Sequence, residues 1–357
     1  MQNRKLKSSA GIRKAELISA WGSILMGHAP MLSIEITREC PLECPGCYAY
    51  GDMHLGGEIT LRELSELRGD ELVAGVIGLV RKHRPLHVSL VGGEPLMRKQ
   101  ELNSILPALS RMGVVTMVVT SGVAPIPMEW MDIPRLLIAV SVNGLREDHD
   151  LRRKPATYDR ILRNIDGRRV NIHWTVTAPM VARQGYIEEY VAFWNARPEV
   201  GRIWVSVYTP QVGECTPEIL SPHQRRKLVE DLDGLRPRYP KLLMHDGIGR
   251  ALMQPPASPR DCLFAQMSTN YSADLKTQVE PCIFGGSPDC DQCGCAVSIG
   301  LHWLKDIHVL GPLKIEHLVT ASMRVGMLCN RLGIRRLRAS RWTPPQPAGP
   351  RLVQIRI

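Results

Sequence analysis

Three cysteines near the start of the chain are spaced like metal ligands. Cys40, Cys44 and Cys47 are separated by three and then two residues, and the next cysteine is Cys215. Thiolate is the usual ligand of iron–sulfur clusters, and a fully ligated [4Fe-4S] cluster takes four thiolates. Three thiolates leave one iron open, and an open position is typical of a catalytic metal site. We therefore predict a [4Fe-4S] cluster that binds a small molecule, with a zinc knuckle or structural thiols as alternatives.

The surroundings of this cysteine loop carry a family resemblance. A strand-like segment at 32–37 precedes the Cys-x3-Cys-x2-Cys spacing, which resembles that of the radical S-adenosylmethionine (SAM) enzymes. The resemblance implies that the cluster binds SAM and that an electron cleaves SAM to methionine and a 5′-deoxyadenosyl radical, which abstracts hydrogen from a substrate. It also implies an electron donor such as flavodoxin or ferredoxin. Tyr48 matches the Cys-Tyr ending of many members, whereas Gly46 stands where the family usually has an aromatic residue.

A Gly-Gly-Glu turn follows the next predicted strand. Gly92, Gly93 and Glu94 resemble the turn that holds the amino group of SAM in this family. Two glycines allow a backbone to approach a ligand closely, and a carboxylate is complementary to an ammonium group. The alternative is a routine turn that carries a solvated acid.

Polar residues after two further predicted strands extend the same resemblance. Ser141, Asn143 and the His-Asp-x-x-Arg segment that ends at Arg153 resemble a stretch of radical SAM enzymes with C-terminal cysteine extensions. The resemblance implies that Ser141 and Asn143 lie near the SAM ribose, although an aspartate is usual at the second position. It also implies that Arg153 contacts the SAM carboxylate, which a guanidinium can bind in bidentate fashion. Ser121 is a further candidate for the SAM pocket, and solvated loops or turns are the alternatives.

A second group of cysteines lies toward the C-terminus. Five thiols within 34 residues exceed the needs of one tetrahedral zinc, and four would complete a closed [4Fe-4S] cluster. The layout resembles the SPASM and Twitch extensions, which implies an auxiliary cluster, although Thr277 stands where a glycine is usual. We expect one second, auxiliary [4Fe-4S] cluster, with structural zinc or disulfides as alternatives. The preferred ligands are Cys262, Cys282, Cys290 and Cys293, with Cys295 competing for the last place.

The elements that must position these residues alternate between strands and helices. The predicted strands lie at 32–37, 86–91, 114–119, 136–142, 171–177 and 203–208. Such alternation predicts a parallel sheet with right-handed crossovers, whose site forms at the carboxyl ends of the strands. The predicted fold class is α/β, a partial (β/α)6 TIM-like barrel with a small C-terminal cysteine-rich auxiliary-cluster domain. The radical SAM resemblance implies the same barrel.

The chain divides into five predicted regions. An N-terminal helix occupies 1–30, with its apolar pattern at about 11–27, and the barrel occupies 31–210. A helix and a proline-rich linker follow at 211–261, the auxiliary segment at 262–300, and a basic C-terminal helix and tail at 301–357. Within the barrel, Thr60 and Glu63 form a predicted capping box that starts a helix running toward Lys82.

Composition narrows the setting of the protein. The 357 residues are 44% hydrophobic and 22% charged, with a formal net charge of +10 that favours anionic partners. We expect a cytoplasmic protein, because the chain shows neither an export signal nor an apolar run of ~18–20 residues. An apolar stripe between His317 and Gly333 is bordered by arginines. This pattern predicts either a helix docked on the barrel or peripheral contact with an anionic membrane.

The resemblance to radical SAM enzymes with cysteine extensions implies a radical SAM enzyme whose substrate is a peptide or protein, with a lipid or small molecule as the alternative. The competing class is a non-enzymatic metal-binding module that holds nucleic acid. That class explains the cysteines and arginines but not the Gly-Gly-Glu turn, and aromatic residues make up just 5% of the chain. The sequence does not identify a catalytic side chain.

Overall fold

The computed structural model describes residues 21–305 and 307–332. Seven strands form one sheet and two short strands form a separate antiparallel hairpin. In chain order the strands of the described residues are β1 Met31–Glu35, β2 His87–Val91, β3 Val115–Thr120, β4 Leu136–Ser141, β5 Val170–Val176, β6 Val200–Val207, β7 Ser268–Tyr271, β8 His308–Leu310 and β9 Leu313–Lys314.

Helices follow most of the strands. After β1 the described α-helices are α1 Gly69–His83, α2 Lys99–Arg111, α3 Arg146–Arg152, α4 Tyr158–Ile165, α5 Ala178–Ala182, α6 Tyr186–Ala196, α7 Pro222–Leu235, α8 Asp246–Met253, α9 Leu263–Met267, α10 Ala296–Lys305 and α11 Ile315–Arg331. Short 3-10 helices occupy Tyr48–Tyr50, Pro95–Arg98, Met128–Asp132 and Cys290–Gln292.

The sheet is parallel throughout and runs in the order β6-β5-β4-β3-β2-β1-β7. Six of its strands match the predicted segments to within a few residues, which confirms the α/β partial barrel. The seventh strand, β7, was missed. It pairs with the outer edge of β1, where Met31 lies opposite Ser268. A four-residue Ser-Thr-Asn-Tyr segment has too little apolar character to be read as a strand.

Residues of each strand alternate between a helix-facing side and an inner side. On β5, Ile172, Trp174 and Val176 belong to the core between sheet and helices, and Trp174 stacks on Tyr190 of α6 at 3.8 Å between ring centroids. His173 therefore projects to the inner face of the barrel. The outer helices hold the fold, while the inner face is left for the site.

One predicted helix start is wrong. Thr60 donates from its backbone and its hydroxyl to Glu63, at 2.8 Å each, but the helix begins only with α1. The reason is the side chain of Arg38, which donates to the carbonyls of Arg62 and Leu64 at 2.7 and 3.0 Å. Those carbonyls are engaged by a side chain instead of by the backbone amides of a helix.

The proline-rich linker predicted within 211–261 is also corrected. It contains α8, whose Ala251 and Leu252 are buried in the main core. A Cβ atom on Gly247 would lie 1.8 Å from the indole nitrogen of Trp303, so α8 packs directly on α10. This part of the chain is folded against the barrel and does not act as a spacer.

The ends of the chain are only partly described. Residues 21–25 are helical, in agreement with the end of the predicted N-terminal helix, and residues 1–20 lie outside the described part. The predicted C-terminal helix corresponds to α11, and residues 333–357 lie outside the described part. No helix within residues 21–305 and 307–332 is long and apolar enough to cross a membrane.

Candidate metal centre and cofactor site

The cysteine loop leaves the sheet where β1 ends. Ile36 donates its backbone N–H to the carbonyl of Val91 at 2.9 Å, so the chain still follows β2 before it turns outward. The loop therefore stands at the carboxyl edge of the parallel sheet. Cys40, Cys44 and Cys47 are all partly exposed there, and the amide of Cys47 donates to the carbonyl of Cys44 at 3.3 Å.

The protonation of these thiols fits a metal-ligating role. Burial raises the pKa of Cys40 to about 11, and the charges of Glu94, Cys44 and Cys47 act in the same direction. Burial also raises the pKa of Cys44, against the opposing charge of Arg153. Thiols of this kind stay protonated at neutral pH until a metal binds and displaces the protons. Cys40 and Cys44, together with Cys47, which lies within electrostatic reach of both, are a suitable donor set for an iron–sulfur cluster.

The glycine turn holds the cysteine loop in place. Gly93 donates its N–H to the carbonyl of Thr37 at 2.8 Å, and Glu94 donates its N–H to the carbonyl of Glu39 at 2.7 Å. A Cβ atom on Gly93 would come within 2.1 Å of the Glu39 carbonyl oxygen. Gly92 adopts a positive φ of 125°, and its Cβ would lie 2.6 Å from the Thr37 carbonyl oxygen. The two glycines are required here for close contact between two loops.

The carboxylate of Glu94 is buried and fully engaged by the protein. It is 1% exposed and accepts hydrogen bonds from the amides of Leu96 and Ser121, at 3.0 and 2.7 Å. The hydroxyls of Thr120 and Ser121 also donate to it. These four bonds use the whole acceptor capacity of a carboxylate. Glu94 thus ties the glycine turn to the end of β3, and an ammonium group that reached it would have to replace a hydroxyl donor.

Arg153 supplies an unpaired positive charge beside the cysteine loop. Its Nη2 donates to Oδ1 of Asn143 at 3.3 Å, while its buried Nε has no hydrogen-bond partner. Within the described part of the chain, no carboxylate forms an ion pair with it. The adjacent Lys154 accepts a hydrogen bond through its carbonyl from the amide of Glu43 at 2.8 Å, which holds this segment against the cysteine loop. The charge of Arg153 opposes the rise in the pKa of Cys44. A partly buried guanidinium with free donors fits an anionic ligand such as the carboxylate of SAM.

The histidine of the predicted His-Asp-x-x-Arg motif has a structural role. His149 is buried, accepts a hydrogen bond from the amide of Asn143 at 3.1 Å and contacts the Thr157 hydroxyl at 2.8 Å. Burial lowers its pKa to about 3, so the ring is neutral and acts as an acceptor at Nδ1. It holds the backbone of Asn143 in place. Ser141 ends β4 and lies opposite His173 of β5 at the same edge.

All five C-terminal cysteines of the predicted auxiliary segment line one cavity. The cavity is otherwise lined by apolar residues, Thr209 and Ser298. Burial raises the pKa of Cys290 to about 11 and that of Cys295 to about 12. The sulfur of Cys262 lies 3.1 Å from the hydroxyl oxygen of Ser298. Five thiols around one cavity are a sufficient donor set for one cluster, and their positions do not single out four of the five. In residues 21–305 and 307–332, no three or more Cys, His, Asp or Glu side chains are grouped so as to hold a single metal ion.

The auxiliary segment extends the outer edge of the barrel at β6. Val207 donates its N–H to the carbonyl of Gly294 at 2.9 Å, and Val212 donates to the carbonyl of Ser287 at 2.8 Å. Ser206 accepts a hydrogen bond from the amide of Ala296 at 3.0 Å and contacts His173 at 2.8 Å. The segment therefore reaches the inner face of the barrel as well as its rim.

The same segment is attached to the opposite side of the barrel through His54, a residue that sequence reasoning missed. Nε2 of His54 lies 2.7 Å from a carboxylate oxygen of Glu35, at the end of β1. Its Nδ1 lies 2.8 Å from the carbonyl oxygen of Phe284, and the Ser272 hydroxyl donates to Glu35 at 2.6 Å. The auxiliary segment thus joins the β1 side to the β6 side. The available sequence signal for this attachment was Glu35, an acid at the end of an apolar strand. Its partner Ser272 is 237 residues away, so the pair cannot be recognised locally.

The fold and the donor atoms together place this protein in a structural class, the parallel partial barrels that carry a three-thiol loop at the carboxyl edge of the sheet. Residues 34–189 match the family model of the radical SAM superfamily. Its members are enzymes that use a [4Fe-4S] cluster and SAM, which confirms the expected cofactor class.

Comparisons with individual proteins extend this result. The chain is 29% identical over 105 residues to 7-carboxy-7-deazaguanine synthase from Hyperthermus butylicus, a match that covers 29% of this chain and 39% of that relative. The fold resembles that of Streptococcus suis SuiB bound to the precursor peptide SuiA, with a TM-score of 0.55, 16% identity, and 75% of this chain and 62% of SuiB covered. It also resembles anSMEcpe with bound AdoMet, with a TM-score of 0.51, 15% identity, and 87% and 99% of the two chains covered. The chain therefore spans less than two thirds of the curated relative and of SuiB.

Proposed function

We propose that this protein is a radical SAM enzyme that acts on a peptide or protein. When bound, the cluster and SAM supply a 5′-deoxyadenosyl radical that abstracts hydrogen from the substrate. The observation that carries the proposal is the unpaired guanidinium of Arg153 beside the three-thiol loop at the carboxyl edge of the barrel. A cation without an acidic partner, next to three thiols that would leave one iron of a cluster open, matches a ligand that carries its own carboxylate.

The chain's own residues would divide the work as follows. Cys40, Cys44 and Cys47 would hold the cluster, and Arg153 would bind the SAM carboxylate. The backbone of the glycine turn and the carboxylate of Glu94 would face the methionine end of SAM. Ser121, Ser141 and Asn143 would line the remainder of the pocket, and the barrel wall would exclude water from the reacting atoms.

The C-terminal cysteines would hold an auxiliary [4Fe-4S] cluster in their shared cavity. Cys262, Cys282, Cys290 and Cys293 remain the preferred ligands, with Cys295 as the competitor. A cluster between the β6 and β1 sides of the barrel could brace the segment, pass electrons or contact substrate. The first electron would come from a donor such as flavodoxin or ferredoxin.

A peptide is the favoured substrate because of two similar folds. SuiB was solved with its precursor peptide SuiA, and anSMEcpe with a Cp18Cys peptide. Both are below 25% identical to this chain, so they support the fold directly and the substrate class by analogy. A lipid or a small molecule is the alternative substrate. The neighbouring genes distinguish these substrates, because a gene for a short precursor peptide would favour a peptide and lipid-synthesis genes would favour a lipid.

The decisive test is anaerobic purification followed by reaction with SAM and dithionite. We expect a brown protein with about eight irons per chain, from two cubic clusters, that produces 5′-deoxyadenosine. Replacing Cys40, Cys44 and Cys47 by alanine should abolish this product and leave about four irons. A colourless, zinc-loaded protein that makes no 5′-deoxyadenosine would contradict the proposal and favour a metal-binding module.

A further inference from the structure

Arg225 is a buried positive charge that the proposed SAM site does not use. It lies on α7 and is 5% exposed, whereas its neighbour Arg226 is exposed to solvent. The guanidinium group remains protonated at all accessible pH values. Burying a charge without an opposite charge is costly, so the position of Arg225 requires a compensating anion.

The direct partners of Arg225 are neutral. Its Nη1 donates to the carbonyls of Leu252 and Cys293, at 2.9 and 3.0 Å, and its Nη2 donates to the carbonyl of Gln292 at 2.8 Å. No carboxylate of the described residues forms an ion pair with it. Asp289 is near enough for its charge to be felt, but it makes no contact with the guanidinium within ion-pair distance.

A cluster bound in the cysteine cavity would supply this anion. Two of the three carbonyls belong to Gln292 and Cys293, and the Cys293 side chain lines the cavity together with four other thiols. Four thiolates around an iron–sulfur cluster give the assembly a net negative charge, which increases when the cluster accepts an electron. Net charge and hydrogen bonding near the cluster set its reduction potential.

We propose that Arg225 is a positioning residue that favours the reduced state of the auxiliary cluster and so raises its reduction potential. The inference rests on the proposed auxiliary cluster. Reduction adds one electron from a low-potential donor and forms or breaks no covalent bond in the protein. The three carbonyl contacts fix the guanidinium beside the Cys293 backbone, so that its charge acts on the cluster from a constant distance.

The test uses full-length protein in which Cys40, Cys44 and Cys47 are replaced by alanine, so that the auxiliary cluster alone gives a signal. The reduction potential is measured by redox titration followed by electron paramagnetic resonance (EPR). Arg225→Gln should lower the ratio of reduced to oxidised cluster at a fixed potential by about tenfold or more, which is 59 mV or more for a one-electron couple. Arg225→Lys keeps the charge and should stay near the parent value.

Arg226→Gln is the matched control, because it removes an exposed arginine from the same helix and should leave the potential unchanged. An unchanged potential in Arg225→Gln with full iron content would overturn the inference. If Arg225→Gln loses its iron, Arg225→Lys decides the matter. If Arg225→Lys keeps its iron and the parent's reduction potential, the result supports a role for the positive charge. If both variants lose their iron, Arg225 serves to brace the carbonyls, and the inference is overturned.

A failure of the underlying proposal gives a different result. If the triple-alanine parent binds no iron and shows no EPR signal after reconstitution, the auxiliary cluster itself is absent, and this inference fails with it. If the parent binds about four irons, the cluster is present, and the comparison of reduction potentials between the parent and the Arg225 variants decides the inference.

Discussion

Arg153 and Arg225 are two buried or half-buried cations without acidic partners, and they face the two cysteine sites. In a folded protein such cations are costly unless a ligand neutralises them. That cost is removed if both cations meet an anionic group once SAM and the clusters are bound. At the scale of single residues, the positions of unpaired charge therefore indicate where anionic groups bind.

Replacing Arg153 by methionine tests the SAM carboxylate contact. Loss of charge-assisted hydrogen bonds should weaken SAM binding roughly 10- to 100-fold. The measurement is a SAM titration of cluster-loaded protein, followed by the change in its EPR spectrum. Arg160→Met, at an exposed position of α4, is the control and should bind like the parent. Equal SAM affinity in both variants, with equal iron content, would rule out this role for Arg153.

Glu94 offers a second residue-scale prediction. Glu94→Gln keeps the shape of the side chain but replaces one carboxylate oxygen by an NH2 group. That NH2 group would point at groups that donate hydrogen bonds to Glu94 in the parent protein. Because a buried donor would face other donors, we expect a loss of about 1–3 kcal/mol in the free energy of unfolding. Denaturant unfolding of the apoprotein measures it. A variant as stable as the parent would show that Glu94 is free to bind ligand and does not brace the turn.

Motif residues were predictable because their spacing is local, whereas their supporting residues were not. The cysteines, Glu94 and Arg153 lie in short patterns that can be read along the chain. His54 and Arg225 look like ordinary polar residues in sequence. Their partners, Phe284 and Cys293, are 230 and 68 residues away, so just the folded structure brings each pair together.

At the scale of elements, the join between β6 and the auxiliary segment depends on Gly294. A Cβ atom there would lie 2.3 Å from the carbonyl oxygen of Val207. Gly294→Ala should therefore lower the free energy of unfolding by about 1–3 kcal/mol through overpacking. It should also reduce the iron retained by the auxiliary site, measured by iron analysis after reconstitution.

Gly300 on α10 provides the matched glycine for comparison. No described atom outside its own helix backbone lies within 4 Å of a Cβ atom built there. Gly300→Ala should keep its iron and gain up to about 1 kcal/mol from helix propensity. Identical iron content in Gly294→Ala and Gly300→Ala would show that the join does not support the cluster.

The strands of the barrel were predictable, and the parts that close it were not. Runs rich in Val, Ile and Leu mark β1 to β6 along the chain. In contrast, β7 is short and polar and exists because the edge of β1 accepts its backbone hydrogen bonds. The helix α8 was hidden by surrounding prolines, since packing of Gly247 against Trp303 is not visible in local sequence.

At the scale of the whole molecule, His54 makes the joining of the two sides sensitive to pH. Both its ring nitrogens face acceptors, the carboxylate of Glu35 and the carbonyl of Phe284, so both must carry hydrogen. Burial acts against the charged ring, but the hydrogen bond to Glu35 prevails and raises the pKa of His54. The stabilising contribution is therefore complete below the unfolded pKa of ~6.5 and is lost as pH rises through the higher folded value.

His54→Gln should lower the free energy of unfolding by about 3 kcal/mol at low pH. The difference from the parent should shrink as pH rises above the unfolded pKa of ~6.5 and through the higher folded value, because the parent then loses its imidazolium. Urea unfolding of the apoprotein, followed by tryptophan fluorescence, measures both proteins. A difference that is constant or increases with pH would contradict the charged pair.

The exposed face of α11 carries a prediction about membranes. Val325, Leu328 and Leu332 recur at helical spacing and are 46, 55 and 64% exposed, and Arg324 and Arg331 are exposed beside them. An apolar stripe with flanking cations is complementary to an anionic lipid surface. We expect binding to phosphatidylserine-containing vesicles that weakens with salt, and little binding to neutral phosphatidylcholine vesicles.

Leu328→Glu should reduce this vesicle binding, and Met128→Glu is the control. Met128 is similarly exposed, at 51%, but lies on the 3-10 helix Met128–Asp132, away from α11. Sedimentation with vesicles measures both. Equal binding of the two variants, or equal binding to neutral and anionic vesicles, would contradict a role of the apolar stripe of α11 in binding anionic membranes.

The attachment of the auxiliary segment to both sides of the barrel also orders events during synthesis. A chain made only as far as residue 207 holds β1 to β6 and the cysteine loop, but it lacks the residues that join the two sides. Extension from there to residue 296 takes roughly 4–18 s at ~5–20 residues per second. During that interval we expect Cys40, Cys44 and Cys47 to be more accessible to an iron–sulfur carrier. Once the auxiliary segment ties the β1 side to the β6 side, we expect loading of this cluster to be slower.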